Sequence, residues 1–516
     1  MASSDKLQFS DLWSALVAAG ASQQAAPAGL IGQAVRAVVV DSRAVQPNDL
    51  FIALRGEKTD GHLYLADAFN RGARAAIAEP RALELGCQAT CILPDGTIQR
   101  PAAAGHPETG SPAASDDGRG RGDHDRHNRP PYIFIVPDSL AGLQKVAAHW
   151  RGQMPADVIG ITGSVGKTTT KEIVANVLAQ RFVTMRSEGN LNNEIGLPLT
   201  LLKLDAGIER LVLEMGMYAL GEIASLCRLA RPRIGVVTNV GPTHLERLGT
   251  IERIAQAKAE LVQALPAAED GGVAILNADD PLVCAMAGRT SARIFTYGLD
   301  DSSDLWADAI SSEGLGGIRF RFHHRAETLH VHLPLLGRHS VHTALRGAAV
   351  GLVAGLSWTE IIKGLQEQRG QLRLMVVPGL RGATLIDDTY NASPVSMLAA
   401  LNLLDDICNS SHRAVAVLGE MLELGAYEEE GHRLVGGRAA QVADKLVAVG
   451  AHARWMAEEA LSAGMKPADI YTTTSKEDAI AVLTGLLRDG DIVLIKGSRA
   501  LAMESIVDAL AVRRTV

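Results

Sequence analysis

A lysine and two threonines close a glycine-punctuated heptapeptide, Gly163-Ser164-Val165-Gly166-Lys167-Thr168-Thr169. Residues of these types in this order can hold a polyphosphate. Backbone N–H groups of the turn and the positive end of a following helix attract the anion. Lys167 reaches its outer phosphates, and the Thr168 hydroxyl can ligate Mg2+. The usual spacing, G-x-x-x-x-G-K-[ST], would place its first glycine where Ile161 stands, so this is a shortened form. An ordinary Gly-rich strand-to-helix turn is the plain alternative. The context favours the phosphate reading: an apolar run ends in Gly160-Ile161-Thr162, and Ile173, Val174, Val177 and Leu178 then share one helical face. ATP use follows.

Other residues could join that chemistry. Glu214 ends the strand-like LVLE, where the Mg2+ of a nucleotide is held beside a phosphate loop. IGVVTNV leads into Gly241-Pro242-Thr243-His244, which puts His244 at the same sheet edge, as a metal ligand or as a surface or capping histidine. In TIERIAQAKAELVQALP an apolar stripe runs Ile251, Ile254, Leu261, Leu265, and Lys258 fills its missing place. A lysine there either snorkels to solvent or has a polar task. Near the N-terminus Asp41-Ser42-Arg43 follows a short strand; it is turn chemistry, or a hydroxyl and a guanidinium offered to a ligand. In the last part, three strand-like runs end in polar residues: Asp387-Asp388, Gly419-Glu420 and Lys496-Gly497-Ser498-Arg499. Open parallel sheets bind ligands at such ends.

The elements that must position these groups alternate strand and helix through most of the 516 residues, a length for about three domains. We expect divisions at 1–155, 156–370 and 371–516, all α/β. From Arg100 to Pro131 there is no Val, Ile, Leu, Met, Phe, Tyr or Trp. Such a segment cannot offset its ordering entropy and reads as a disordered surface insertion. A net charge of −8 without a basic, aromatic-interleaved stripe gives no nucleic-acid footprint. No apolar run is long enough to cross a bilayer, and MASSDKLQFSDLW lacks the apolar core of a signal peptide. Cys87, Cys91, Cys227, Cys284 and Cys408 do not form a zinc pattern and read as reduced thiols. These features together predict a cytoplasmic protein.

With these residues placed, the chain resembles the Mur ligases, the ATP-dependent amino-acid ligases of peptidoglycan synthesis. The resemblance rests, in order, on DSRAVQPNDLFIALRGEKTDGH, ITGSVGKTTTKE, EGNLNNEIGLPLTLL, LEMGM, HLERLGT, AKAELV, LLGRH, IDDTYNASP, GEMLELG and KGSRALAMES. EGNLNNEIGLPLTLL and DDTYNASP point to the members that add D-alanyl-D-alanine to UDP-N-acetylmuramoyl-tripeptide.

The resemblance implies three domains: a smaller α/β N-terminal one for the UDP-sugar, a central P-loop parallel-sheet one for ATP, and a Rossmann-like C-terminal one. It implies an acyl-phosphate intermediate, a cytoplasmic monomer, and no nucleic-acid or membrane partner. Ser42 and Arg43 would lie near the UDP-sugar, and Gly163, Ser164, Val165, Gly166, Lys167, Thr168 and Thr169 would hold the ATP phosphates. Thr168 and Glu214 would bind Mg2+, and His244 a second ion. Lys258 would be carbamylated by CO2, an anionic metal-bridging group. Asn190, Asn192 and Asn193 would line the central cleft. Asp388, Tyr390 and Asn391 would approach the nucleotide, and Tyr390 also belongs with Lys496, Ser498 and Arg499 on the side of the second substrate.

The chain departs from the family pattern twice. His339-Ser340-Val341-His342-Thr343 has hydroxyls where side-chain amides that could read adenine usually stand, and Gln371 follows Gly370 where arginine is common, with Arg373 two residues on. The competing readings are another Mur ligase, a folylpolyglutamate synthase-like ligase, and a P-loop switch or transport ATPase.

Overall fold

The computed structural model describes residues 6–17, 26, 30–56, 59–86, 88–100, 131–367, 374–408 and 412–512. The interior of the proposed insertion, Cys87, and the Gly370, Gln371 and Arg373 positions lie outside the described residues. Three sheets carry the fold, and by contacts the chain divides into two units.

The first unit comprises 1–156 with 191–209 and 228–230. Its strands are β1 (Val38–Val39), β2 (Leu50–Ile52), β3 (Ala75–Ala78), β4 (Thr90–Ile92), β5 (Ile98–Gln99) and β6 (Tyr132–Ile135), in the order β1-β2-β3-β6-β4-β5. The short strands β2, β3, β4 and β6 are buried throughout, which is why they read as continuous apolar runs instead of alternating ones. The helix Ser139–Gln153 starts on Asp138, whose carboxylate accepts from the Ala141 N–H, and ends with the buried Trp150 and Arg151. Trp150 Nε1 donates to Leu204 O at 3.0 Å, and the Arg151 guanidinium donates to the carbonyls of Met154, Ala156 and Ala230.

The second unit holds the other two sheets. The nine-stranded one contains β7 (Asp157–Thr162), β8 (Thr184–Arg186), β9 (Arg210–Glu214), β10 (Ile234–Val237), β11 (Val273–Asn277), β12 (Arg293–Gly298), β13 (Leu305–Ser312), β14 (Ile318–His324) and β15 (Glu327–Leu333). Their order is β15-β14-β13-β12-β11-β10-β7-β9-β8. Pairing is parallel from β8 to β13, then antiparallel through β14 and β15. The antiparallel extension is an addition to the parallel sheet expected from sequence.

Gly160 of β7 pairs with Gly235 of β10. A Cβ at Gly160 would sit 2.9 Å from Leu261 Cδ1, and one at Gly235 would sit 3.1 Å from Leu265 Cδ1. The glycine pair is therefore a saddle that lets the helix Ile251–Gln263 press onto the sheet. Since Lys258 lies one turn before Leu261, it is carried inward with the apolar stripe.

The last sheet has β16 (Met375–Pro378), β17 (Thr384–Asp387), β18 (Ala414–Gly419), β19 (Lys445–Val449), β20 (Ile470–Thr473) and β21 (Ile492–Lys496), ordered β16-β17-β21-β18-β19-β20. Only β16 runs antiparallel to its neighbour. Since β17, β21 and β18 are adjacent and parallel, their polar carboxyl ends share one edge, as the sequence suggested. No helix among the described residues is long and apolar enough to cross a membrane.

Candidate active site

The glycine loop joins β7 to the helix Lys167–Leu178. Gly166 caps that helix at φ 84°, a left-handed conformation that favours glycine. A Cβ at Gly163 would fall 1.8 Å from Thr238 Oγ1, so no side chain fits there. The loop is pinned from the β10 edge: Thr238 Oγ1 donates to Val165 O at 2.7 Å, and Asn239 Oδ1 accepts from Val165 N at 2.9 Å. Ser164 Oγ donates to Gly241 O and accepts from Gly241 N. Lys167 Nζ folds back onto Gly163 O at 2.8 Å. Thr169 is half-buried on the first turn. The helix is buried on nearly every side, where its sequence had suggested one apolar face. Its Lys171 donates to Ser187 O and pairs with Glu172, which also holds Arg186.

The Thr168 hydroxyl donates to Glu214 Oε2 at 2.6 Å, and both residues are buried. A hydroxyl and a carboxylate are hard oxygen donors suited to Mg2+, whose remaining positions are commonly filled by water and phosphate. These two residues fit such an ion.

Lys258 is 2% exposed, so it does not snorkel. Among the described residues its Nζ has no hydrogen-bond or ion-pair partner. Burial and, next, the charge of Lys167 push its ammonium well below the usual lysine range. His244 stands nearby, itself in a left-handed conformation at φ 56°. Its pKa is lowered, by burial first; Glu423 opposes that shift, and Lys167 and Lys258 add to it. His244 Nδ1 lies 2.6 Å from Glu423 Oε2. That contact assigns the Nδ1 proton to the carboxylate side and leaves Nε2 as the acceptor nitrogen. Tyr218 meets the His244 ring edge-on, with centroids 5.1 Å apart. Lys167, Lys258 and His244 thus gather at one sheet edge and repel one another's protons. Such an edge suits anions.

On the C-terminal sheet, Lys496 is 3% exposed, pairs with Asp388 at 2.7 Å and donates to Asn391 O at 2.8 Å. Asn391 Oδ1 accepts from Ala392 N. Ser498 Oγ accepts from Leu422 N at 2.9 Å, and Arg499 lies over Tyr390 while pairing with Glu504. Five of the six predicted C-terminal residues therefore meet one another in two groups, Asp388–Lys496–Asn391 and Tyr390–Arg499, and Ser498 is tied to Leu422 instead.

In the first unit, Asp41 caps the turn Ser42–Ala44 by accepting from Arg43 N, and its carboxylate grips the Arg43 guanidinium at 2.7 Å. Ser42 is buried, and Arg43 is 82% exposed along its side chain. Turn chemistry accounts for Asp41. The asparagines divide: Asn192 and Asn193 belong to this unit, where Asn193 Oδ1 accepts from Gly196 N at the helix Gly196–Leu201, while the exposed Asn190 belongs to the second.

Sequence reasoning missed Glu423 and Arg346. Glu423 sits in the quoted GEMLELG, and its φ of 64° has no local sequence signal. At the departing His339–Thr343 stretch, Ser340 Oγ donates to Leu336 O, His342 pairs with Asp279 at 2.7 Å, and Thr343 accepts from Arg346.

A parallel sheet with one glycine phosphate loop, a hydroxyl–carboxylate pair behind it and a buried lysine beside it defines a nucleotide-phosphate-binding α/β enzyme fold. Comparison with known proteins narrows the class. Residues 34–109, 161–351 and 372–499 match the profiles "Mur ligase family, catalytic domain", "Mur ligase middle domain" and "Mur ligase, glutamate ligase domain". The chain is 37% identical over 495 residues to the UDP-N-acetylmuramoyl-tripeptide–D-alanyl-D-alanine ligase of Mycobacterium tuberculosis (strain CDC 1551 / Oshkosh), covering 92% of this chain and 91% of that one. The MurF crystal structure from Acinetobacter baumannii superimposes with a TM-score of 0.76 at 26% identity, covering 97% of this chain and 98% of that one. MurF ligase from Thermotoga maritima, solved in complex with ADP, gives 0.71 at 29% identity over 92% and 97% of the two chains. The chain belongs to the Mur ligase family.

Proposed function

We propose that this enzyme joins UDP-N-acetylmuramoyl-tripeptide to D-alanyl-D-alanine at the expense of ATP, forming the pentapeptide precursor of peptidoglycan. The similarity to ligases of that name supports the substrates. The observation that carries the chemistry is the buried Lys258 grouped with the half-buried Lys167 and His244 beside the buried Thr168–Glu214 pair.

A carboxylate is a poor acylating agent because oxide does not leave. Transfer of the γ-phosphoryl group of ATP to a tripeptide carboxylate oxygen makes an acyl phosphate and ADP. The dipeptide amine then attacks the acyl carbon, loses a proton, and displaces phosphate. Two anions must meet in the first step, so positive charge must be concentrated there. Lys167 and the loop N–H groups of Gly163 to Thr169 hold the phosphates. Thr168 and Glu214 would hold Mg2+, which when bound would further neutralise the meeting anions.

The depressed ammonium of Lys258 favours a neutral amine, the form that forms an N–C bond to CO2 and loses a proton. A carbamate there would balance the local cations and, with Nε2 of His244, hold a second ion. Asp388 and Asn391 serve the nucleotide; Tyr390, Lys496, Ser498 and Arg499 serve the second substrate; Ser42 and Arg43 serve the UDP-sugar; and Asn190, Asn192 and Asn193 line the cleft. The same proposal includes domains at 1–155, 156–370 and 371–516, a monomer, and a cytoplasmic location.

ADP release tests it. It should require UDP-N-acetylmuramoyl-tripeptide and D-alanyl-D-alanine together. ATP turnover at the same rate without them, or with folate and glutamate in their place, would overturn the assignment.

A further inference from the structure

Arg346 lies in the helix Ser340–Val353 and is 4% exposed. One guanidinium nitrogen donates to Thr343 Oγ1 at 2.8 Å. Its Nε is buried without a hydrogen-bond partner. Among the described residues no carboxylate lies within ion-pair distance of it. The guanidinium lies beside the fully buried Tyr297 hydroxyl, which donates to Thr238 O and Val237 O at the β10 edge. It also faces the phosphate loop: a Cβ built on Gly166 would sit 3.3 Å from the terminal nitrogen and 3.8 Å from Cζ.

Guanidinium is always charged, and a buried charge without a counter-ion is costly. Elsewhere in the chain, the part-buried Arg413 is met by Asp491, and the buried Arg151 has its guanidinium nitrogens taken up by three backbone carbonyls. Arg346 has no such partner, and it abuts the residue that caps the phosphate-loop helix. We propose that Arg346 is the internal counter-charge of the nucleotide site, a positioning residue whose field acts through the Gly166 end of the loop on the bound polyphosphate. The inference rests on ATP being the substrate, as proposed above. Charge acting through the protein interior is weakly screened, so its effect grows with the number of phosphates and is absent for adenosine.

A purely structural tie makes a different forecast. Arg346→Gln keeps a donor for Thr343 Oγ1 and removes the charge; Arg346→Met removes both; Arg346→Lys keeps the charge. Calorimetric titration of the full chain with ATP, ADP, AMP and adenosine separates the two. We expect Gln and Met to weaken ATP about tenfold, ADP less and adenosine not at all, with Lys within about threefold of wild type. Ligand-free Arg346→Met should melt no lower than wild type, while ATP raises its melting temperature less. Equal losses for ATP and adenosine, or a Gln variant that binds ATP like wild type, would overturn the proposal. Should Met fail to fold, Gln and Lys still decide it. Wild-type protein that binds no ATP would sink the functional reading instead, a separable result.

Discussion

Lys258, buried in the site to which the proposed chemistry is assigned, shows how a single side chain can be expensive for folding. Its ammonium is pushed down by burial and by Lys167, so the unfolded chain holds the proton more tightly than the folded one. The sign follows: the group opposes folding below the unfolded value of about 10.4 and ceases to do so as pH rises toward it. Lys258→Met should therefore stabilise the ligand-free protein by roughly 1–4 kcal/mol at pH 7, a gain that shrinks toward pH 10. The same substitution should abolish ligation. Denaturant titrations at the two pH values, with ADP-release assays alongside, check this; a destabilised variant would contradict the burial argument.

At the scale of elements, local chemistry sets where helices begin. Ser357 and Glu360 form a reciprocal capping box on the helix Trp358–Gln366, and Arg181, just beyond the phosphate-loop helix, holds the same Glu360 carboxylate at 2.6 Å. Hydrogen bonds from Arg181 first, then from Ser357, lower the Glu360 carboxyl to about 2. Its folded value is depressed, so its contribution is complete above the unfolded value of about 4.3 and is lost as pH falls through about 2. Glu360→Gln should lower the urea midpoint at pH 7 and do so progressively less between pH 4 and pH 2. A pH-independent deficit would assign the effect to packing alone. The capping box is sequence-local and legible as S-x-x-E. Its tie to Arg181 spans 179 residues and is not.

Within the second unit, the sheet that carries the phosphate loop and the sheet that follows it meet at His244 and Glu423, two exceptional backbone positions both at positive φ. Chain folding that holds both conformations fixes the imidazole orientation through one hydrogen bond. Carboxylates that orient a functional histidine in this way are worth about 10–100-fold in activity. Glu423→Ala should cost that much in ADP release, and Glu423→Gln, which can still accept from Nδ1, should recover part of it. Equal losses in the two variants would mean that orientation is not what Glu423 supplies.

The amino-acid order by itself determined the strand–loop–helix around Lys167, the α/β alternation, and the polar ends of the three strands later found side by side. These are local matters of periodicity, glycine placement and chain direction. It left Lys258 between two fates, because a stripe position says which way a side chain starts and not whether water can reach its end. Tertiary structure decided that question, through the Gly160–Gly235 saddle that seats the lysine's helix against the sheet. It also decided the Glu423 contact, the antiparallel extension of the central sheet, and the solitary charge of Arg346 beside Gly166. The Glu423 contact and the place of Arg346 depend on which distant segments pack together, and that is set by burial summed over the whole core, not by any short run of residues.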